Sequence, residues 1–469
     1  MDAVDTALSV GIILAYVALL ALVVVRARAA REFEDFSLAG RALPLAMVFG
    51  SLAATYVGPG FSIGFVGRGF KSGFLFLAVS LAYAVQNILV GLLLAPRLRA
   101  LKNCRTLGDA IGQKYDRKCH VAAGIISVGL CAGFAAVMAK AGGGVVHDFF
   151  GLPHWSSVFI VVAVTALYTT FGGLRASVIT DAFQFSTFAI LLPLALLFVL
   201  FLSGHVSDER GMAAAFAQQA SAATAHGLRS TSPLEIVSLV MAFLLGETLI
   251  PPYANRALAS ATTQISRNGF ILGGVFSTLW FTVMISLGIA ARSIIPADID
   301  EDMVLLNLVK STMPVSGHAL LLIALLSVIM SSLASLLNAG AVAFTEDVVK
   351  PFVELVDAEA LNVGRAATIG IALIAAAGVV AVPTIIEGLL ICYTIWAPAI
   401  LPVLIIGLWA EHPRPLAGIL SMAVGTLVAI VLQFWIRAGV PTIIPALASA
   451  LAAYLVGHSL DAQITKRRA

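Results

Sequence analysis

The stretch LAATYVGPGFSIGF, residues 52–65, lies in a long apolar run and carries Gly58-Pro59-Gly60 at its middle. Proline removes a backbone donor and clashes with the preceding turn, and glycine is a weak helix former. In a lipid bilayer a broken helix leaves backbone groups without water, at several kcal/mol for each group. The stretch therefore predicts either a functional break in a membrane helix or a packing kink.

The composition decides between a soluble and a membrane protein. The chain has 469 residues, of which 60% are hydrophobic and 11% are charged, whereas soluble domains carry about 25% charged residues. About 20 apolar residues span a bilayer, and the chain contains many such runs. The sequence therefore predicts an all-α, polytopic membrane protein with about thirteen transmembrane helices.

The lysines and arginines predict the orientation of the chain. With the N-terminus outside, 20 of the 28 Lys and Arg fall in inside loops, a count that treats Arg256 as a loop residue. Because basic loops stay in the cytoplasm, we expect an N-out, C-in protein. The predicted parts are an extra helix and basic loop (1–43), a first five-helix repeat (44–203), an outside loop (204–233), a second repeat (234–409) and two further helices with a tail (410–469).

A second interrupted span has the sequence LLGETLIPPYANRAL, residues 244–258, and lies five spans after the first. Transporters built from inverted repeats break two helices at equivalent positions near the bilayer midplane. The spacing therefore predicts an inverted five-helix repeat core whose first and sixth helices are broken. The freed backbone groups would bind an ion and a solute.

Hydroxyl side chains form a stripe in the predicted ninth span. Ser327, Ser331 and Ser335 recur at every fourth position, on one helical face, and Ser332 and Asn338 flank them. Small polar residues of this kind also let membrane helices pack closely. Sodium is a hard cation that prefers oxygen ligands, as other hard cations do, so hydroxyls beside a broken helix favour a sodium site.

Three charged residues fall inside predicted spans, where each is a functional hypothesis. Asp181 lies at a depth comparable to the serine stripe, and could share a cation with it or cap a helix near the interface. Glu247 lies in the second break, and Lys140 follows Phe134 in the fourth span. Lys140 and Glu247 predict contacts to a carboxylate or zwitterion, a buried bridge between the two, or snorkelling of the lysine. Four histidines near span ends (His120, His147, His154 and His318) suggest interfacial positions and no metal cluster.

Three motifs carry a resemblance to a known family. The segments YTTFGGLRASVITDAFQ (168–184), DFSLAGRALP (35–44) and SSLASLLNAGAVAFTEDVVKP (331–351) resemble the sodium:solute symporter family, which has the leucine-transporter-like fold. The likeness extends over nearly the whole chain, in order. It implies thirteen helices and sodium-coupled alternating access.

The resemblance also implies specific ion ligands. A principal sodium site would use backbone oxygens of the first core helix and hydroxyls of the eighth, at positions that match Ala53, Tyr56, Val328, Ser331 and Ser332. Some members carry a second sodium site nearer the cytoplasm. Its positions match Asp181, Ser331 and Ser335.

Within the family the two broken segments look most like the branch of high-affinity choline transporters, which hold a quaternary ammonium in an aromatic box. The matching positions are Tyr56, Phe134 and Ile250, so one aromatic ring is lost and the cation–π attraction weakens. Lys140 would repel a cation. The predicted substrate-binding residues are Tyr56, Gly58, Gly60, Phe134, Lys140, Glu247 and Ile250.

The sequence thus predicts a symporter in the plasma membrane that imports a small organic solute, with a carboxylate or zwitterion as the expected class. The alternatives are a choline-like organic cation symporter and a solute sensor without net flux. We expect sodium as the coupling ion, no cofactor, no nucleic-acid partner and no enzymatic activity, because no nucleophile–base constellation or metal spacing occurs. The oligomeric state stays open.

Overall fold

The computed structural model describes residues 3–27, 30–198, 209–436 and 442–468. The described residues form a bundle of helices. In chain order these are α1 Ala3–Ala27, α2 Phe33–Leu38, α3 Leu45–Tyr56, α4 Phe65–Ser72, α5 Phe74–Leu89, α6 Ala95–Ala100, α7 Leu107–Lys114, α8 Arg117–Phe150, α9 His154–Leu197, α10 Glu209–Ser230, α11 Pro233–Leu245, α12 Pro251–Ala259, α13 Thr263–Ala291, α14 Val304–Thr312, α15 Val315–Ala343, α16 Asp357–Gly378, α17 Ile385–Trp409, α18 Pro415–Val431 and α19 Ile443–Arg468.

The helices confirm the predicted all-α membrane class. Nine segments of the described chain are long and apolar enough to cross a bilayer, and up to eleven are if each of two bent pairs is one span. The predicted number of thirteen stays a prediction. The outside loop expected over 204–233 contains α10, and its residues 204–208 lie outside the described residues.

Two predicted spans are joined in α9, which runs for 44 residues with a break at Gly173. Gly173 has φ +59°, and a Cβ at this position would lie 2.6 Å from the Cα of Phe36 in α2. Glycine is required here because other residues disfavour this φ and because α2 passes so closely. The break separates a segment that packs beside α8 from one that carries Asp181.

The first predicted break is present between α3 and α4, whose axes differ by 61°. The α3 helix ends where the Val57 N–H bonds to the Ala53 carbonyl at 3.1 Å, and Pro59 then supplies no donor. A π-helical turn, Gly60–Gly64, leads into α4. A Cβ on Gly60 would overlap the Leu389 side chain of α17, so glycine allows the close approach of these two helices.

The second predicted break separates α11 from α12. The chain leaves α11 at Leu245, Leu249 takes a left-handed conformation with φ +49°, and Pro251-Pro252 begin α12. The indole N–H of Trp396 donates to the Thr248 carbonyl at 3.0 Å. One free carbonyl of the break is thus satisfied by a side chain of a neighbouring helix, as a low-dielectric environment requires.

The helix α15 lies at the centre of the bundle. In the membrane span that contains α15, about 89% of the apolar 18-residue segment is buried inside the protein, against 28% in the span of α19. It packs on α8, α9 and α1, and the Tyr16 hydroxyl of α1 lies 2.6 Å from Ser327 Oγ. The serine stripe of α15 therefore faces protein on all sides and meets the end of α3.

Candidate functional site

The residues predicted for the principal sodium site lie together where α3 ends against α15. Ala53, Tyr56, Val328 and Ser331 are fully buried, and Ser332 is 2% exposed. Ser331 Oγ donates to the Val328 carbonyl at 3.0 Å and lies 3.4 Å from the Ala54 carbonyl. The two hydroxyls and the last carbonyls of α3 therefore form one group of oxygens between two helices.

The hydroxyl of Ser332 is the open member of this group. Its Oγ is buried and has no hydrogen-bond partner among the described residues. A Cβ on Gly58 would come within 3.0 Å of this oxygen, so the absence of a side chain at Gly58 leaves space beside it. A buried polar atom without a partner costs about 1–3 kcal/mol, which a bound cation would offset.

The position predicted for a second sodium ion contains a positively charged side chain of the protein. The carboxylate of Asp181, fully buried, accepts from Ser51 Oγ at 2.6 Å and lies 3.1 Å from Arg256 Nη2. Arg256 also donates to Ser335 Oγ at 2.5 Å and to Ser51 Oγ at 3.0 Å. A guanidinium therefore lies among the oxygens that were expected to hold sodium, and Asp181 Oδ1 is buried without a hydrogen-bond partner in the described chain. Two serines of the stripe face different groups: Ser331 faces the end of α3, and Ser335 faces Asp181.

The structure corrects the predicted position of Arg256, which was counted as a loop residue. It lies in α12 with a side chain that is fully buried. The physical reason is the ion pair, since a buried arginine requires an opposite charge. A sequence signal did exist: Arg256 follows the second break by four residues, and Asp181 was an intramembrane acid that needed a partner.

Glu247 occupies the second break and is 4% exposed. Its carboxylate accepts three phenolic hydroxyls, from Tyr393 at 2.6 Å, from Tyr83 at 2.6 Å and from Tyr253 at 2.5 Å. A carboxylate offers about four acceptor positions, so three are used. The three tyrosines come from α17, α5 and α12, and the sequence analysis missed them because nothing in the spacing of these segments links them.

Aromatic rings continue from this acid to the first break. The Tyr56 ring centroid lies 4.7 Å from that of Tyr253 and 5.8 Å from that of Tyr83. On the other side of Glu247, the Phe134 ring lies 5.8 Å from Tyr393. The predicted residues Tyr56, Phe134, Glu247 and Ile250 are thus all buried around the two breaks, with Gly58 and Gly60 in the first of them.

Lys140 does not join this group. Its Nζ donates to the Val382 carbonyl at 2.7 Å and to that of Pro383, and the residue is partly exposed. The bridge between Lys140 and Glu247 that the sequence left open does not occur within the described part of the chain, because the lysine points to the loop before α17 and the acid is already held by tyrosines. This position agrees with the snorkelling alternative.

Comparison with known proteins gives the same assignment. The model of the sodium:solute symporter family matches residues 36–433. The sodium/pantothenate symporter of Escherichia coli is 24% identical over 92% of this chain and 91% of its own length, and the osmoregulated proline transporter OpuE of Bacillus subtilis is 28% identical over 73% and 72%. These relatives are transporters and not enzymes.

The fold is also that of a solved transporter. A structure described as the substrate-bound, outward-open state of a Na+-coupled sialic acid symporter superposes with a TM-score of 0.82, over 96% of this chain and 97% of that one, at 15% identity. This confirms the predicted leucine-transporter-like fold. The chain is a multi-pass membrane protein that belongs to the sodium:solute symporter family.

Proposed function

We propose that this protein uses a sodium gradient to import, across the plasma membrane and by alternating access, a small organic solute with a positively charged nitrogen. The observation that carries the proposal is the Glu247 carboxylate, which lies in one broken helix and among aromatic rings that reach the other. The sodium-binding oxygens adjoin the same broken helix. One cation and one solute would thus share a single region of the protein.

Sodium coupling is supported by the open hydroxyl of Ser332. The ion would take oxygens from Ser331, Ser332 and the last turn of α3, including Ala53 and Tyr56, with Val328 on the facing helix. Hard cations prefer such oxygen ligands. Because these ligands come from two helices, binding would fix α3 against α15. Tyr56, whose ring belongs to the aromatic group, would be ordered by the same event.

The charged nitrogen of the solute is supported by the electrostatics of the two breaks. Glu247 contacts tyrosine hydroxyls only and has no basic partner among the residues that the structure describes. Aromatic faces attract cations within about 6 Å of the ring centroid. A carboxylate on the solute was expected to contact Lys140, but Lys140 binds backbone carbonyls instead. A zwitterion or an organic cation therefore fits better than a simple carboxylate.

The experiment is solute uptake into proteoliposomes with an inward sodium gradient. A panel of similar size would contain zwitterionic amino acids, quaternary ammonium compounds, monocarboxylates and neutral polyols. We expect sodium-driven uptake of members with a charged nitrogen, and loss of that uptake in Glu247→Gln. Uptake restricted to monocarboxylates would contradict the proposal.

A second measurement distinguishes a carrier from a sensor. Vesicles loaded with unlabelled solute would be assayed for counterflow of labelled solute without an ion gradient across the membrane. A carrier exchanges the two, whereas a sensor binds the solute without exchange. Binding without counterflow would favour the sensor and contradict the transport proposal.

A further inference from the structure

A second group of ligand-type side chains lies at one end of the bundle, away from the two breaks. Asp109 in α7, His120 in the first turn of α8 and Asp347 in the π-helical turn Phe344–Val349 place one oxygen or nitrogen each within 4.8 Å of one another. His120 Nε2 is 2.8 Å from Asp347 Oδ1 and 3.4 Å from Asp109 Oδ1. This end carries the loops that the positive charges predict to be cytoplasmic.

Asp347 is the buried member of this group. It is fully buried, and its Oδ1 accepts from Thr106 Oγ at 2.5 Å as well as from His120. Its Oδ2 is buried without a hydrogen-bond partner in the described ranges of the chain. A Cβ on Gly108 or on Gly124 would overlap the Asp347 side chain, so two glycines on α7 and α8 form the space that admits this carboxylate.

The neighbouring cations do not neutralise Asp347. Arg105 pairs with Glu34 at 2.9 Å and with Glu346 at 3.2 Å, and Lys350 pairs with Glu346 at 2.6 Å. The basic side chains are thus engaged by the other acids around the group. Within the described chain, His120 is the titratable side chain that contacts both the Asp109 and the Asp347 carboxylates, which leaves a local excess of negative charge.

We propose that Asp109, His120 and Asp347 form a binding site for a divalent transition-metal ion such as Zn²⁺. One imidazole nitrogen and two carboxylate oxygens make a ligand set that such ions accept, with a further position for water. The His120 nitrogen lies 2.8 Å from Asp347 Oδ1 and 3.4 Å from Asp109 Oδ1, so small shifts of these side chains would allow metal–ligand bonds of about 2.0–2.2 Å. The sequence had predicted no metal cluster at His120, because its partners are 11 and 227 positions away.

The surroundings orient the three ligands. The backbone N–H of Arg105 donates to Asp109 Oδ2 at 2.9 Å, and the Thr106 hydroxyl donates to Asp347 Oδ1. Hydrogen bonds of this kind fix the direction of metal ligands and contribute to affinity. Asp109 and His120 are each 17% exposed, so an ion has a path from solvent. A bound ion would join α7, the start of α8 and the end of α15.

The test is binding of Zn²⁺ to the purified full chain, prepared without a polyhistidine tag and measured by calorimetry. Co²⁺ absorption would give a second readout, because the ion reports its own coordination. We expect one ion for each chain and a higher thermal unfolding temperature with Zn²⁺. In His120→Gln the affinity should fall by about tenfold or more, since even outer hydrogen-bond partners of metal sites contribute about 10–100-fold.

A matched control is His154→Gln. His154 lies 6.2 Å, ring to ring, from His147, at another place in the protein. This variant should keep the wild-type affinity. Asp109→Asn, at a partly exposed position, is a second ligand variant if His120→Gln does not fold, and it should weaken Zn²⁺ binding equally.

Equal affinity of the wild type and the ligand variants would overturn the proposal, as would the absence of one-to-one binding at about 100 µM Zn²⁺. Either result would mean that the group is only a hydrogen-bonded link between α7 and α15. The outcome is independent of the proposed transport function, because neither the solute nor sodium is used in the measurement.

Discussion

The two cation positions on α15 lie one helical turn apart and are built differently. At the first, Ser331 and Ser332 face the end of α3, and the Ser332 hydroxyl lacks a partner in the described chain. At the second, Ser335 faces Asp181, and Arg256 already supplies a positive charge. The same helical face therefore offers one position that can receive an ion and one in which the protein provides its own cation.

This difference shows why a ligand pattern alone does not establish an ion site. Asp181 and Ser335 are suitable ligands for sodium, yet a guanidinium 3.1 Å from the carboxylate competes for the same charge. Among the described residues, no basic side chain is hydrogen-bonded to Ser331 or Ser332. We therefore propose that the coupling ion binds at Ser331 and Ser332, whereas a sodium ion at Asp181 would lie beside the Arg256 guanidinium.

The largest expected effect comes from removing the positive charge beside Asp181. Arg256→Met leaves Asp181 buried without its charge partner, which should cost about 3–5 kcal/mol. We expect a much lower thermal stability in detergent, measured by fluorescence-detected size exclusion after heating. The double variant Arg256→Met with Asp181→Asn should recover part of the loss.

The control for this change is Arg267→Met, at an exposed position in α13, which should melt close to the wild type. If Arg256→Met melted at the wild-type temperature, the ion pair would contribute nothing to folding and the Asp181 position would be open to sodium.

The next effect concerns an acid that, unlike Asp181, has no basic partner in the structure as described. Glu247→Gln keeps the shape and removes the charge, and a hydrogen bond to a charged group contributes about 1.5–3 kcal/mol. Affinity for a solute with a charged nitrogen should fall by at least about tenfold. Solute binding by the purified protein in the presence of sodium measures this. Exposed Glu387→Gln is the matched control, and equal loss in both variants would argue against the Glu247 contact.

The proposed sodium position at the end of α3 is tested by the double variant Ser331→Ala with Ser332→Ala. Two oxygens are lost, whereas the helix should form as well as before because alanine is a better helix former. The sodium concentration for half-maximal uptake should rise about tenfold, equivalent to about 1.4 kcal/mol. Ser327→Ala, one turn away on the same face, is the control. An unchanged sodium titration in the double variant would falsify the principal-site assignment.

The smallest effect is expected at the cation that lies apart from both positions. Lys140→Met removes an ammonium group that binds the Val382 and Pro383 carbonyls at a partly exposed place. Interactions of exposed charges contribute about 0–1 kcal/mol, so solute affinity and stability should stay near the wild type. Binding of the solute panel checks this. A selective loss of carboxylate-bearing solutes would restore Lys140 as a substrate contact.

The sequence by itself determined the membrane class, the two breaks and the hydroxyl stripe. Each follows from local chemistry: apolar runs have to be buried, Pro59 and Pro251 cannot continue a helix, and serines four positions apart share one face. The need of Asp181 for a partner was evident too, because an unpaired carboxylate in an apolar run is costly. The family resemblance added the residues of the sodium positions.

Tertiary structure decided which groups meet. The partner of Asp181 is Arg256, 75 positions away, and the three tyrosines around Glu247 come from α5, α12 and α17. Helical periodicity specifies the face on which a side chain lies, but not the helix that packs against that face. Lys140 and Phe134 show the same limit, because both lie on α8 but their side chains contact different parts of the protein. The physical reason is that electrostatic and aromatic contacts depend on distances of a few ångströms, which only the packing of the helices sets.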